Sequence, residues 1–543
     1  MTKIKKYCVL LIALIMVVSV FSACGGKNIS ETSDNLTYWA SLDSRHARTH
    51  TSLSEIMYVK EICKATGIDV DFIHPAAGST GTEAFQILMA SGEYPDMIEY
   101  EWGNYAGGPD SAIRDGVIIA LNDYLEDYAP NYYDYMEGNK GKEAGGIYKA
   151  QAMSSKGNYY GFHKISLSNY RGYSGIFIRK DLLDKWGLDI PVTIDDWENV
   201  FKVAKENGIK YPFVSNNGLD VLGSSSLFSG AWEVGKGFYL DNDEVKFGPN
   251  EPALKAYVAK MAEWMKKGYL DPDYVTNTYA EMEAYITNGT SIASAGYIGS
   301  HLGRIIPAMQ ERDPNFNIVA CPFPVMKEGD TPWFQSISPD VAPGGIVAVS
   351  VQCGENNEDR YKEAVKWLDY CYSEEGAILR NFGIEGDTYT LENDDDGNVH
   401  YVYTDKITKA QVDGANSVED AMFYFVAPGG NLSGMVEHPD YFEGFYPYSQ
   451  QKEALKIWNA NLDEARKHVI PPIVFTDEEA ERIAQIEASE KDNFIAAISN
   501  IILGKASIDT YDAAVAKAKK NGYDEIHEFY KAAYARYKKN LAS

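Results

Sequence analysis

Cysteine is scarce in this chain: six in 543 residues, and two of them, Cys8 and Cys24, fall near the amino terminus. Cys63, Cys321, Cys353 and Cys371 show neither CxxC nor zinc-ribbon spacing, so no disulfide framework is indicated and they read as small buried hydrophobes. Histidine is sparse as well. His46 and His50 stand four apart, but Ala47 follows His46, so the HExxH zinc motif is missing and no metal is expected there. No GxSxG or Walker A motif is present, and "GYSG" (172–175) is one residue short of a nucleophile elbow. No internal repeat or low-complexity tract interrupts the chain. One enzymatic class stays open, a surface glycoside hydrolase or lyase using two acidic residues, because acids are abundant enough for such a pair to be drawn.

Basic residues are outnumbered, with 50 Lys and Arg against 78 Asp and Glu and a formal charge of -28. Such a body repels the phosphates of nucleic acid and of anionic lipid, so neither is an expected partner; the acidity suits solubility. The chain is expected to act as a monomer without a cofactor. Aromatic residues are the anomaly: 39 Tyr and 9 Trp. Most must pack in cores, yet flat apolar faces with a polar edge also suit sugar rings.

The amino terminus reads as an address. Lys3, Lys5 and Lys6 precede a run from Tyr7 to Phe21 with no charged residue, the pattern of a secretory signal rather than a bilayer span. Phe21-Ser22-Ala23-Cys24 then resembles the lipobox of bacterial lipoproteins, in which the cysteine carries diacylglycerol and becomes the first mature residue. Phe21 departs from the usual Leu. By this resemblance residues 1–23 are a signal peptide, Cys24 is the lipidation site, and 24–35 is a small, polar tether at the outer face of the cell membrane.

Beyond the tether, strand and helix patterns alternate. "LTYWASL" (36–42), "IDVDFIHP" (68–75) and "PDMIEYEW" (95–102) are expected strands. "SLSEIMYVKEICKATG" (52–67) and "GTEAFQILMASG" (81–92) are expected helices between them. "SGIFIRKDLLDKWG" (174–187) runs from strand to helix. "PVTIDDWENVFKVAKENG" (191–208), with Thr193 and Asp196 as a capping-box variant, and "EPALKAYVAKMAEWMKKG" (251–268) are helices. Past Pro471-Pro472 the chain is largely helical and opens on a capping box at Thr476 and Glu479. This alternation predicts an α/β fold with mostly parallel sheets, whose ligands sit at the carboxyl ends of the strands.

"LMASGEYPDMI", "DGVIIALNDYLEDYAPNYYDYM" (115–136), "FIRKDLLDKWGLDIPVTIDDW", "VKWLDYCYSEEGAILRNFGIEGDTY" (365–389) and the terminal "FYKAAYARY" together resemble the family 1 extracellular solute-binding lipoproteins of bacterial ABC importers. The resemblance implies a two-lobed fold of the periplasmic-binding-protein type II kind, with a hinge, an interlobe cleft and a helical C-terminal region. It implies one lobe of about 36–163 plus 317–372 and a second of 164–316 plus 373–543. It also implies a carbohydrate ligand, an oligosaccharide by preference, delivered to the permease subunits of an ABC transporter. A sensor that presents bound solute to a membrane kinase is the other reading. Some relatives hold calcium in an Asp/Asn-rich loop, but "AKENGIKYPF" (204–213) lacks those carboxylates. "ENDDDGNV" (392–399) imitates an EF-hand loop, yet Tyr403 stands where its bidentate Glu belongs and the flanks alternate as strands, so a hairpin turn is expected.

A cleft for sugars needs aromatic faces for stacking and fixed polar groups for hydroxyls. Trp39 and Asp43 after the first strand, and Glu101 and Trp102 after "PDMIEY", are the candidates from the first lobe. Arg171, Trp232 in "SGAWEVGKGFY", Tyr297 in "ASAGYIGS", Trp333 in "DTPWFQS" and Tyr389 at the end of "GIEGDTY" are the others. Trp186, Trp197, Trp264, Trp367 and Trp458 lie on helical patterns and are expected in cores. Asp96 in "YPDM" reads as a structural carboxylate that turns the chain into its strand.

Overall fold

The structure is a computed structural model. It describes residues 34–542 apart from 44–45, 77–78, 217–221, 223–227, 335, 394–396, 413, 415–417 and 427–433. Cys24 and residues 1–33 lie outside the described residues, as does the acidic centre of the EF-hand-like stretch.

The chain opens with β1 (Leu36–Trp39), α1 (Met57–Thr66), β2 (Val70–Ile73), α2 (Gly81–Ser91) and β3 (Met97–Tyr100). Local chemistry sets the helix ends. Thr80 and Glu83 form a reciprocal capping box on α2, and Gly67 and Gly92 end the two helices in the left-handed region that lacks a Cβ penalty. β1 pairs in parallel with β2 and β3. The second half supplies β4 (Ser174–Arg179), α3 (Ile194–Glu206), β5 (Phe213–Val214), α4 (Pro252–Lys266), β6 (Ala293–Tyr297) and β7 (Ile318–Ala320). The chain then returns to the first sheet through β8 (Ile346–Val349), antiparallel to β3. The two four-stranded sheets run β8-β3-β1-β2 and β7-β4-β6-β5.

Both sheets are covered on both faces, so their strands read as apolar runs rather than as alternations. Val347 and Val349 of β8 belong to one core with Tyr38, Met97 and Trp367, while Ile346 and Ala348 point into another with Trp39, Phe85 and Trp102. In β4, Ile176 and Ile178 enter the core built on α3 and α4, and Phe177 enters the opposite one. Trp197, Trp264, Trp367 and Trp458 are buried, and Trp186 packs partly buried on the core of α3 and α4. Cys321, Cys353 and Cys371 are buried and Cys63 is half-buried. Asp96 accepts from the backbone N–H and hydroxyl of Thr37 at 2.7 and 2.8 Å and from Arg360 at 2.7 Å, joining β1, β3 and the helix α5 (Asp359–Tyr370).

After α5 come α6 (Glu374–Asn381), a hairpin of β9 (Tyr389–Asn393) and β10 (Val399–Tyr403), and α7 (Val418–Phe425). The C-terminal region is α8 (Asp477–Ile502), α9 (Tyr511–Ala518) and α10 (Asp524–Leu541). It buries Phe494, Ile498, Ile502, Tyr523 and Ile526 against the core of α4. At its far end Tyr534 and Tyr537 pack with Ala150, so it touches both lobes.

The lobe boundary expected at 317 is corrected. β7 hydrogen-bonds to β4 in the second sheet, from Ile318 opposite Arg179 to Ala320 opposite Phe177; Val325 still pairs with Val192 and Ile194, Phe334 still packs in that lobe's core, and the chain crosses at Asp340–Ala342. An apolar strand shows its faces in its sequence but not its partner, which is chosen by the free edge that β4 offers. The division at 372 also shifts, because Ala377 and Leu379 of α6 pack in the first lobe's core.

Candidate functional site

The topology aims both sheets at one place. β4 begins just after the first crossing between lobes, and β5 and β6 run against it, so they end beside that crossing. β8 begins just after the second crossing, and β3 and β1 run against it, so they end there too. Strand ends of both lobes thus converge on the crossover, which is where open α/β sheets hold ligands.

Three stretches cross side by side. Ile165 donates to Met435 O at 2.9 Å and Leu167 to Glu437 O at 3.0 Å; Ser166 donates to Asp340 O and Ala342 to Lys164 O, both at 2.9 Å. Two buried ionic groups tie the ribbon. Glu437 accepts from Lys164 at 2.8 Å and from the Ser166 hydroxyl at 2.5 Å. Arg171, 4 % exposed, spends its guanidinium on the Asp340 carboxylate, the Ser166 hydroxyl and the carbonyls of Ser166 and Ser168.

At the exit of β6 stands an aromatic platform. Tyr297 is 47 % exposed and Tyr279, at the first turn of the helix Tyr279–Thr287, is 49 % exposed; their ring centroids are 6.5 Å apart. Buried His301 supports both, with its ring nearly parallel to Tyr297 at 6.0 Å and edge-on to Tyr279 at 4.9 Å. Its Nδ1 accepts the Tyr297 N–H at 3.1 Å. Burial, helped by the nearby Arg304 cation, pushes His301 down to about 4, so the ring is neutral and can keep that acceptor. Gly296 makes the arrangement fit, since a Cβ there would stand 2.7 Å from the His301 ring.

The exits of the first lobe are polar. Glu101, exposed after β3, accepts from Asn104 Nδ2 at 2.9 Å and lies against Gly344 at the start of the return to β8. Asp43, half-buried after β1, turns the chain by accepting Ala47 N–H on its backbone carbonyl at 2.9 Å. The lobes also meet at two further places. Arg48 pairs with Asp420 of α7 beside the edge contact of His46 and Phe423, and Asp477 at the start of α8 pairs with Arg114 and with Lys156.

Comparison with known sequences supplies the family. Residues 52–378 match the family described as bacterial extracellular solute-binding protein, well over half of the chain. The chain belongs to the bacterial extracellular solute-binding proteins. Lipoprotein LipO of Bacillus subtilis (strain 168) is 26 % identical over 407 residues, 72 % of this chain and 74 % of LipO. The fructooligosaccharide ABC transporter substrate-binding protein FusA of Streptococcus pneumoniae is 23 % identical over 316 residues, 53 % of this chain and 56 % of FusA. Among solved structures, the alginate-binding protein AlgQ2 superposes with a TM-score of 0.68 at 20 % identity, covering 94 % of this chain and 100 % of AlgQ2. The solute-binding protein therefore has the two-lobed α/β fold of these structures.

Within that fold the expected site residues separate. Four are corrected to structural roles. Trp102 is 0 % exposed, donates from Nε1 to Ile346 O at 3.1 Å and packs edge-on against Phe85 and Tyr100. Trp39 is buried in the same core against Phe85. Strand exits are therefore not automatically surface, because the segment after β3 folds back over the sheet. Arg171 is a hinge residue with its donors taken, and Tyr389 is buried among Phe382 and Tyr401 at the base of the hairpin. Trp232, half-buried, lies edge-on to Tyr257, and Trp333, half-buried, stacks on His468 at 3.9 Å. Asp43, Glu101 and Tyr297 stand at the converging strand ends.

Sequence reasoning missed Tyr279, His301 and Asn104. A signal existed for the first: Thr278 and Glu281 form a capping box, which places Tyr279 on a helix's first turn. His301 carries no such mark, since its place under the strand depends on the missing Cβ of Gly296.

Proposed function

We propose that this solute-binding protein is a lipid-anchored, non-enzymatic receptor that captures an oligosaccharide between its lobes and delivers it to the permease of an ABC transporter. The observation that carries the reading is the Tyr279–Tyr297 platform at the end of β6, two half-exposed rings packed on the neutral His301 ring. Stacking and hydroxyl hydrogen bonds each contribute roughly 1 kcal/mol, so a ligand that touches both lobes gains from each and favours the closed form. The carbohydrate names of FusA and AlgQ2 and the lipoprotein name of LipO support the same reading. Anchoring rests on the lipobox-like "FSAC" that ends at Cys24.

A thermal-shift screen against a glycan panel tests the ligand class, since a solute bound only by the folded state raises Tm. The expected hit also leaves the glycan intact on long incubation; turnover would replace the receptor reading with the hydrolase. Metabolic labelling with a palmitate analogue tests the anchor, and label that persists in Cys24→Ala would place it elsewhere.

A further inference from the structure

Tyr297 is aimed by the residues around it, and one helix holds those residues from two sides. β6 ends at Tyr297, opposite Ser174, and the chain then makes a single wide π turn over Ile298–Leu302. Gly303 N–H closes that turn on Ile298 O. A π turn carries one residue more than an α-helical turn and is rare. Its width matters here, because one residue fewer would rotate His301 about 100° away from Tyr297. Gln451, on the helix Ser449–Ile457, donates from Nε2 to the same Ile298 O at 2.9 Å. Its Oε1 accepts Tyr448 N–H at 3.3 Å, which fixes the amide. A Cβ on Gly303 would stand 2.9 Å from Gln451 Nε2, so glycine leaves the room for this bond. Tyr173, just past the first crossing, holds the turn as well, since its carbonyl accepts Ile298 N–H at 2.9 Å.

The far end of the same helix reaches the first crossing. Asn459 Oδ1 accepts the backbone N–H groups of Arg171 and Gly172, both at 2.7 Å. Its Nδ2 donates to Gly172 O at 2.9 Å and to Leu455 O at 2.7 Å, so both protons and both lone pairs of the amide are used. Buried Trp458 donates to Cys321 O at 3.0 Å and fixes this end of the helix to the sheet. A Cβ on Gly172 would stand 2.6 Å from Trp458 O, so the crossing lies directly against the helix end.

Resting on the platform reading above, we infer that the helix Ser449–Ile457 and the two residues after it position the binding site: Gln451 aims the platform and Asn459 fastens it to the hinge. Gln451 is 2 % exposed, out of a ligand's reach, and acts through the turn that carries Tyr297. A platform tied in this way moves with the residues that leave the first crossing, so a ring stacked on Tyr297 bears on the hinge.

The test compares variants of the full chain. Gln451→Met keeps the length of the side chain and removes its donor. In an NMR titration without any ligand, His301 of this variant should move up from about 4 toward its ordinary 6.5, because the ring is no longer held beneath Tyr297. Calorimetry follows with fructo-, xylo-, malto- and galacto-oligosaccharides and with oligogalacturonates. Gln451→Met should bind the tightest member about fivefold to tenfold more weakly, while Tm shifts by no more than about 4 °C. Adding it to Tyr297→Ala should cost nothing beyond Tyr297→Ala alone, since one residue acts through the other. Asn459→Asp keeps the size and the accepted bonds but loses both donors, and should speed hydrogen exchange at Gly172 and Ile298 together. Losses that add, wild-type affinity in Gln451→Met, a His301 that titrates as in wild type, or an Ile298 amide unmoved in Asn459→Asp would overturn the inference. Wild-type affinity in Tyr297→Ala would instead remove the platform reading, and the positioning with it.

Discussion

Arg171 donates twice to one oxygen of Asp340, from Nε at 3.2 Å and from Nη2 at 2.9 Å, and so ties the first crossing between the lobes to the second. The pair stands where the chain must bend for the lobes to close, yet it is nearly dry, with the Arg171 side chain 5 % and the Asp340 side chain 14 % exposed. Breaking a buried pair by removing one partner strands the other, at a cost of about 3–5 kcal/mol. Arg171→Leu is therefore expected to lower stability by that order in denaturant unfolding. Arg171→Lys should recover only part, because an ammonium cannot reproduce the forked contacts to Asp340, Ser166 and Ser168. Wild-type stability in Arg171→Leu would show that the pair does not hold the hinge.

Trp102 is a core residue and should behave as one. Its complete burial and its bond to Ile346 O predict that Trp102→Ala costs about 3–5 kcal/mol of stability. Ligand affinity of the folded fraction should change little. A stable variant with lost affinity would return Trp102 to the binding site.

Tyr297 and Tyr279 should behave in the opposite way. Both are about half exposed, so Tyr297→Ala and Tyr279→Ala are expected to leave stability within about 0.5 kcal/mol. Each should weaken ligand binding by about fivefold to tenfold, the worth of one stacking face. The double variant should fall short of the product of the two, because the rings touch and share His301. Calorimetry with the ligand found by thermal shift checks both numbers.

His301 and His163 make the fold sensitive to acid. Burial pushes His301 down to about 4 and His163 to about 3, while an unfolded histidine titrates near its ordinary 6.5. Between those values the unfolded chain binds more protons than the folded one, so stability is full above about pH 6.5 and falls as pH drops toward 4. For His301 alone the loss is roughly 3 kcal/mol by pH 4. His301→Gln should flatten the stability profile between pH 6.5 and 4 relative to wild type, as read by urea melts at each pH. An unchanged slope would mean that the ring is not held neutral beneath the platform.

Much of the local structure could be read without coordinates. α1 and α2 end at Gly67 and Gly92 as their glycines foretell, and α3 and α8 start at the boxes of Thr193 and Thr476. The strands β9 and β10 form the hairpin that the alternation around "ENDDDGNV" suggests. Of the tryptophans on helical patterns, Trp197, Trp264, Trp367 and Trp458 lie in cores and Trp186 packs partly buried against one. The site was legible only in part. An aromatic at a strand end looks the same in sequence whether a later segment covers it or not, and here Trp102 and Trp39 are buried while Tyr297 is half exposed.

The sequence by itself determined what depends on neighbours along the chain: the caps, the periods of helix and strand, and the acidic charge. Tertiary structure alone decided what depends on partners far away in sequence. β7 joined the second sheet because β4 offered an antiparallel edge, and Arg171 became a hinge tie because Asp340, 169 residues away, came within hydrogen-bond reach. His301 became the support of a platform because Gly296 left room for its ring. Local signals are set by short-range sterics and hydrogen bonds, whereas burial and pairing are set by which distant surfaces exclude water together.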